Sequence, residues 1–125
     1  MKKIITSKNA PAPIGPYSPA VMAGNMLFVS GQVAKHPVSG ELVVGEIKAE
    51  TKQVMENLQG ILTDAGMDFS QIVKATIFLK SMDDFASVNE VYGSYFTNDF
   101  PARETVEVSK LPLNVNVEIS VIAMQ

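Results

Sequence analysis

The sequence predicts an α+β fold of two layers, in which about six strands form one mixed sheet and two helices cover one of its faces. Two segments have the helical spacing of apolar residues, Glu46 to Ala65 and Phe85 to Phe96. Strand-like segments precede, separate and follow them in the order ββαβαββ, and the short strand Ile4-Ile5 comes before these. Two helices can cover only one face of such a sheet. A chain of 125 residues is the size of a single domain, here residues 1–125.

The segment that follows the first short strand, Ile4-Ile5, is predicted to be a stiff extended loop. Four of the seven prolines lie in residues 11–19, and each proline fixes φ and removes a backbone donor. The loop either connects two strands or aims Tyr17 and Ser18 at a site. The stiffness that proline confers favours the second interpretation.

A hairpin is predicted next, with strands Ala20 to Ala23 and Met26 to Ser30 joined by the turn Gly24-Asn25. Gly31 directly follows the second strand. A glycine at that point marks either a bulge or a close approach of a ligand to the backbone, and the bulge is the simpler interpretation.

Both predicted helices have recognisable ends. Gly66 follows the first helix and suits a C-terminal cap, whereas Ser81 precedes the second and suits an N-terminal cap. Asn89 is assigned to the surface of the second helix. One face of that helix carries an apolar, mostly aromatic stripe of Phe85, Val88, Tyr92, Tyr95 and Phe96. Such a stripe is typical of core packing.

Three further strands are predicted. Ile72 to Leu79 is almost continuously apolar, which is typical of strands buried on both faces. Arg103 to Lys110 and Asn116 to Ala123 alternate as strands do, and the short connection 111–114 predicts that they pair as a hairpin. Because two helices leave one face of the sheet open, a second copy of the chain is expected to cover that face.

Arg103 is the only arginine among ten basic residues. Its planar fork of donors can hold a carboxylate through two parallel hydrogen bonds, which lysine cannot do. A structural ion pair or a capped carbonyl is the alternative role. Glu118 lies on the polar half-face of the last strand, and both side chains are expected near the edge of the same subunit interface.

Composition argues against several classes of site. The chain has no cysteine, which excludes disulfides, thiolate metal sites and a cysteine nucleophile and agrees with a cytoplasmic protein. The single histidine, His36, lies in a predicted turn, so no metal site is expected. A net charge of −3 without a basic run makes nucleic acid an unlikely partner. No stretch is apolar enough for a signal peptide or a membrane span.

Several short stretches together form a recognisable pattern. They are Gly15-Pro16-Tyr17-Ser18, Val29-Ser30-Gly31-Gln32, Asn57-Leu58, Ala65-Gly66, Val88-Asn89-Glu90-Val91-Tyr92, Tyr95-Phe96, Pro101-Ala102-Arg103, Val106-Glu107-Val108, Leu111-Pro112 and Val117-Glu118-Ile119. In this order and at these separations, they resemble the Rid family of reactive-intermediate deaminases, also called YjgF-like, over essentially the whole chain.

The resemblance implies a chorismate-mutase-like α+β fold and a homotrimer with clefts between its subunits. It also implies hydrolysis of 2-imino acids derived from serine and threonine to 2-oxo acids and ammonia. By position, Arg103 resembles the clamp for the substrate carboxylate, and Glu118 resembles the group that orients or activates water. The remaining walls of the cleft are then Tyr17, Ser30, Gly31 and the backbone at Thr105, with Asn89 in support. A protonated imine is already electrophilic, so no cofactor or metal is expected.

Two departures from the family pattern bear on activity. Thr105 stands where many members carry cysteine, and because that position acts chiefly through its backbone, activity is expected to survive. Ser120 replaces a second glutamate of the last strand and alters local charge or substrate preference. A trimer that binds 2-oxo acids or amino acids in the same cleft without turnover is the alternative function, and RNA cleavage ranks third.

Overall fold

The computed structural model describes all 125 residues and confirms the α+β class. The helices are α1 (Ile47–Asp64) and α2 (Phe85–Gly93). The strands are β1 (Lys2–Ile5), β2 (Ala20–Ala23), β3 (Met26–Gln32), β4 (Ile72–Leu79), β5 (Ala102–Glu107) and β6 (Val117–Met124). Neither helix has the length and apolar character that crossing a membrane would require.

The six strands form one mixed sheet in the order β1-β2-β3-β6-β4-β5. The predicted pairing of the last two strands as a hairpin is wrong. β6 lies between β3 and β4, antiparallel to both, whereas β5 pairs in parallel with β4 at the edge. The crossover through α2 returns the chain beside β4 in the same direction, and the connection after β5 then passes β4 to reach β6. Its 3-10 turn places Leu113 and Asn114 at positive φ.

The two faces of the sheet differ in burial. Both helices cover one face, whose buried side chains include Leu27, Val29, Ala75, Ile77, Leu79, Val117, Ile119, Val121 and Ala123. The opposite face is open and carries the half-buried or exposed side chains of Ile4, Val21, Phe28, Lys74, Thr76, Phe78, Glu104, Val106, Ser120 and Ile122. Within one chain β4 is therefore buried on one face only. Its burial on both faces, which was expected with a second copy over the open face, stays a prediction.

Local signals in the sequence place the turns and helix ends. Gly24 adopts φ 61° in the β2–β3 turn, and Gly66 adopts φ 73° just after Ala65, the C-cap of α1. Both are conformations that favour glycine. Ser81 accepts a hydrogen bond from the amide of Asp83, as an N-terminal cap does. α2 ends at Gly93, earlier than expected, and Tyr95 and Phe96 pack beyond its end against Phe69 and the core.

A buried carboxylate anchors the start of β6. Glu50 of α1 is completely buried and accepts hydrogen bonds from the amide and Nδ2 of Asn116, at 2.7 and 2.8 Å, and from the amide of Val117 at 3.2 Å. These three bonds satisfy backbone and side-chain donors just before Glu118. The position of Glu118 along the sheet is thereby tied to α1.

Candidate functional site

Four of the predicted site residues line one cleft on the open side of the sheet. Tyr17, Ser30, Gly31 and Glu118 come together around a volume of about 350 Å³. Its remaining walls are formed by Ile14, Val33, Pro112 and Leu113. The proline-rich loop, the end of β3, β6 and the turn before β6 thus form one concave surface with a single carboxylate.

The Glu118 carboxylate lies directly against the backbone of Gly31. A Cβ built on Gly31 would lie 2.7 Å from Cδ of Glu118, so any larger residue would displace the carboxylate. The β3–β6 register shifts between Val29 and Gln32. The bulge interpretation of Gly31 is therefore confirmed, and the group that approaches its backbone is the side chain of Glu118.

Burial tunes the acidity of Glu118. The side chain is half-buried and makes no hydrogen bond within the chain, and desolvation raises its pKa above the ordinary glutamate value. A carboxylate with a raised pKa is a stronger base than a fully solvated one. The cleft can therefore hold a proton acceptor next to its opening.

The proline-rich loop is tied to β3 beside this carboxylate. Ser30 Oγ donates to the carbonyl of Ser18 at 2.6 Å, and the Ser30 amide donates to the carbonyl of Pro19 at 3.0 Å. Tyr17 is half-exposed, and its hydroxyl accepts a bond of 3.4 Å from the amide of Ile14. The loop presents the Tyr17 ring to the cleft, whereas the Ser30 hydroxyl proton is already used in a structural bond.

Arg103 lies elsewhere, on the helix-covered side of edge strand β5. Its Cζ is 5.1 Å from the centroid of the Tyr92 ring and 5.8 Å from that of Phe85. The guanidinium makes no hydrogen bond or ion pair with the rest of the chain, so the structure does not show the ion pair or capped carbonyl that was the alternative. Its donors are free for a ligand.

Two other candidates lie on the same side of the sheet as Arg103. Thr105 follows it by two residues on β5, and its Oγ1 is buried without a hydrogen-bond partner. Asn89 is half-buried on α2, four residues after Phe85 and three before Tyr92, which places it on the helix face that carries these two rings. Arg103, Thr105 and Asn89 thus form a second group, separate from the cleft.

The sheet itself separates the two groups. In the strand register, Arg103 pairs with Ala75 and Thr105 with Ile77 on the buried face, whereas Glu118 pairs with Phe78 on the open face. Within one chain, Arg103 and Glu118 therefore lie on opposite faces of the sheet, and their meeting at a shared subunit interface stays a prediction. β4 lies between β5 and β6, and the alternation of side chains along β6 places Glu118 on the face opposite to that of Arg103.

Sequence reasoning did not assign Phe85 and Tyr92 to the site. Both belong to the stripe interpreted as core packing, and Tyr92, 4% exposed, does pack there. Their spacing of seven residues puts both rings on one face of α2, but contact with Arg103 depends on β5 lying parallel to β4. The sequence does not display that pairing.

Comparisons with known proteins cover the whole of both groups. Residues 7–125 match a family model described as endoribonuclease L-PSP. The chain is 52% identical over 123 residues to a RutC family protein of Pyrococcus horikoshii, covering 98% of each. It is 46% identical over 125 residues to 2-iminobutanoate/2-iminopropanoate deaminase of Bos taurus, covering 100% of this chain and 91% of that protein. A solved structure of a Rid family protein from Yersinia pestis matches with a TM-score of 0.97, 44% identity and 100% coverage of both chains.

Proposed function

The chain belongs to the Rid family, and from this membership we propose that it hydrolyses 2-imino acids to 2-oxo acids and ammonia. The bovine relative, 46% identical, is named for this reaction on 2-iminobutanoate and 2-iminopropanoate. We place the activity in the cytoplasm, with which a chain that forms no disulfide is compatible.

The observation that carries the proposal is the presence of two complementary half-sites on opposite faces of one sheet. One half-site offers a guanidinium with free donors, and the other offers a desolvated carboxylate in a cleft. A site that uses both groups on one small substrate requires Arg103 from one chain and Glu118 from another. We propose a homotrimer in which each cleft is formed between neighbouring subunits.

The open face of the sheet supports this assembly. It carries exposed apolar side chains, among them Ile4, Phe28 and Val106, each at least 39% exposed in the isolated chain. Exposed apolar surface of this kind is typical of interaction sites. Closed rings of identical subunits bury the same surface in every copy without leaving a free end.

The chemistry follows from these groups. The planar fork of Arg103 holds the carboxylate of a protonated 2-imino acid. Water adds to C2 of the imine while Glu118 accepts a proton from it, which gives a carbinolamine. Glu118 returns the proton to nitrogen, the C–N bond breaks, and the hydroxyl becomes the carbonyl of the 2-oxo acid. Its proton leaves with the ammonia as ammonium.

The direct test generates the threonine-derived enamine in place and follows ammonia or 2-oxobutanoate. We expect the wild-type protein to exceed the spontaneous rate clearly. Arg103→Ala should lower kcat/KM by about a hundredfold or more, because it removes the group that orients the substrate. Lys110→Ala, an exposed cation seven residues away, serves as the matched control and should leave kcat/KM unchanged. A wild-type rate equal to the spontaneous rate would refute the proposal.

The alternative function is a trimer that binds 2-oxo acids or amino acids without turnover. It is kept because the relative from Pyrococcus horikoshii, at 52% identity, is named only for its family. Saturable binding of 2-oxobutanoate together with no acceleration of hydrolysis would select this alternative. The net charge of −3 argues against RNA as substrate.

A further inference from the structure

Arg103 is held in an unusual way for a half-buried cation. Its guanidinium contacts the aromatic rings of Tyr92 and Phe85 and has no carboxylate, carbonyl or amide partner. Aromatic faces attract cations through the ring quadrupole, and this attraction leaves the N–H donors in the guanidinium plane unused. An ion pair would instead occupy the donors that a bidentate ligand needs.

The two rings are themselves fixed by the fold. Tyr92 is 4% exposed and packs against Phe96 with ring centroids 4.9 Å apart. Phe85 is the first residue of α2 and follows a 3-10 turn capped by Ser81. The rings therefore form a platform, defined here as Phe85 and Tyr92, that is present before any ligand arrives.

We infer that Phe85 and Tyr92 are positioning residues that orient the Arg103 guanidinium for a carboxylate while leaving its donors free. The role of the bound carboxylate rests on the proposed function, whereas the orientation of Arg103 does not. Removing one of the two rings should raise the Kd for the carboxylate and leave kcat almost unchanged. The reason is that Arg103 binds the carboxylate, which takes no part in the bond changes.

The experiment uses Phe85, whose 38% exposed side chain can be replaced with little risk to folding. Three variants are compared with the wild-type protein: Phe85→Leu, the ring-preserving Phe85→Tyr, and the control Phe100→Leu. Phe100 is also exposed but packs at a tilt against Phe96, with ring centroids 6.0 Å apart. The first readout is the side-chain Nε–Hε resonance of arginine, which is unique because Arg103 is the only arginine. The second is the Kd for 2-oxobutanoate with kcat and KM for the imine.

We expect the Arg103 Hε resonance to lie upfield in the wild-type protein, as protons above a ring face do. Phe85→Leu should move it toward the value of free arginine and raise Kd and KM by about fivefold to tenfold with kcat changed less than about twofold. Phe85→Tyr and Phe100→Leu should resemble the wild-type protein in both readouts.

The outcomes separate this inference from the proposed function. An Arg103 resonance that Phe85→Leu leaves unmoved would show that the ring does not hold the guanidinium, and the inference would be wrong. A moved resonance with unchanged Kd and KM would also overturn it, because orientation would then not matter for binding. A wild-type protein that neither binds 2-oxobutanoate nor hydrolyses the imine would refute the proposed function, while the resonance would still report whether the platform holds Arg103.

Discussion

At the scale of single residues, Glu118 is an acid whose surroundings oppose its charge. It is half-buried against Gly31 without a hydrogen-bond donor, and burial raises its pKa. The folded state therefore binds a proton at Glu118 more tightly than the unfolded state does. The resulting stabilisation is present below the ordinary glutamate pKa and is lost as the pH rises through the raised value.

Glu118→Gln should consequently lower activity and raise stability. We expect kcat/KM to fall by about a hundredfold or more, since the proton acceptor is lost, while the melting temperature at neutral pH rises above that of the wild-type protein. Melting curves from about pH 4 to about pH 8 should show the difference growing with pH. Glu41→Gln, at an exposed position, is the control. A variant that is less stable than the wild-type protein at neutral pH would contradict the desolvated carboxylate.

The same residue predicts a pH profile for the wild-type enzyme. Because Glu118 must be ionised to accept a proton, kcat/KM should fall at acidic pH with an apparent pKa above the ordinary glutamate value. If kcat/KM instead falls with an apparent pKa at or below the ordinary glutamate value, this would indicate that a cation from the neighbouring subunit holds the carboxylate ionised in the assembled protein.

At the scale of elements, the bulge at the end of β3 forms one wall of the cleft. Gly31 has no positive φ, so what excludes a side chain there is the nearby Glu118 carboxylate. The bulge shapes this wall. The hydrogen bonds to Glu50 fix the start of β6, and β6 in turn holds the Glu118 carboxylate against the wall.

Gly31→Ala should disturb this arrangement measurably. We expect the substitution to reduce activity in the wild-type background, and stability to a smaller extent, because the new Cβ displaces the Glu118 carboxylate, the end of a flexible side chain. In a Glu118→Ala background the added loss of stability should be small, since the colliding group is gone. Gly93→Ala, in the last turn of α2 with open space around it, should be neutral or stabilising. Equal losses of stability from Gly31→Ala in both backgrounds would show that the collision is not the cause.

At the scale of the whole molecule, the two half-sites make a prediction about mixed assemblies. Arg103→Ala and Glu118→Gln chains should each form inactive trimers. If both are unfolded together in equal amounts and refolded, about a quarter of the clefts should combine an intact Arg103 with an intact Glu118 from the neighbouring chain. Recovery of activity toward that fraction, with a light-scattering mass of three chains, would support shared clefts. No recovery, or a mass of one chain, would contradict them.

Most of the elements could be predicted from the sequence because their signals are local. Helical spacing and Gly66 predicted α1, and the pair Gly24-Asn25 predicted the first hairpin. β-branched residues defined β4, and all of these were confirmed. The family pattern supplied the site residues, four of which the structure brings into one cleft. The inference that failed was the pairing of β5 with β6 as a hairpin. Burial of β4 on both faces and a subunit interface shared by Arg103 and Glu118 involve a second chain and stay predictions.

By itself, the sequence determined which side chains alternate on each strand, where the chain turns and that Arg103 is the one cation with a planar fork. Only the tertiary structure decided that β6 inserts between β3 and β4 and that β5 runs parallel to β4. The physical reason is that strand pairing depends on contacts between residues far apart in the chain. The alternation of side chains along each strand is the same for every possible order of strands. That choice put Arg103 over Tyr92 and Phe85 on one side of the sheet and Glu118 against Gly31 on the other.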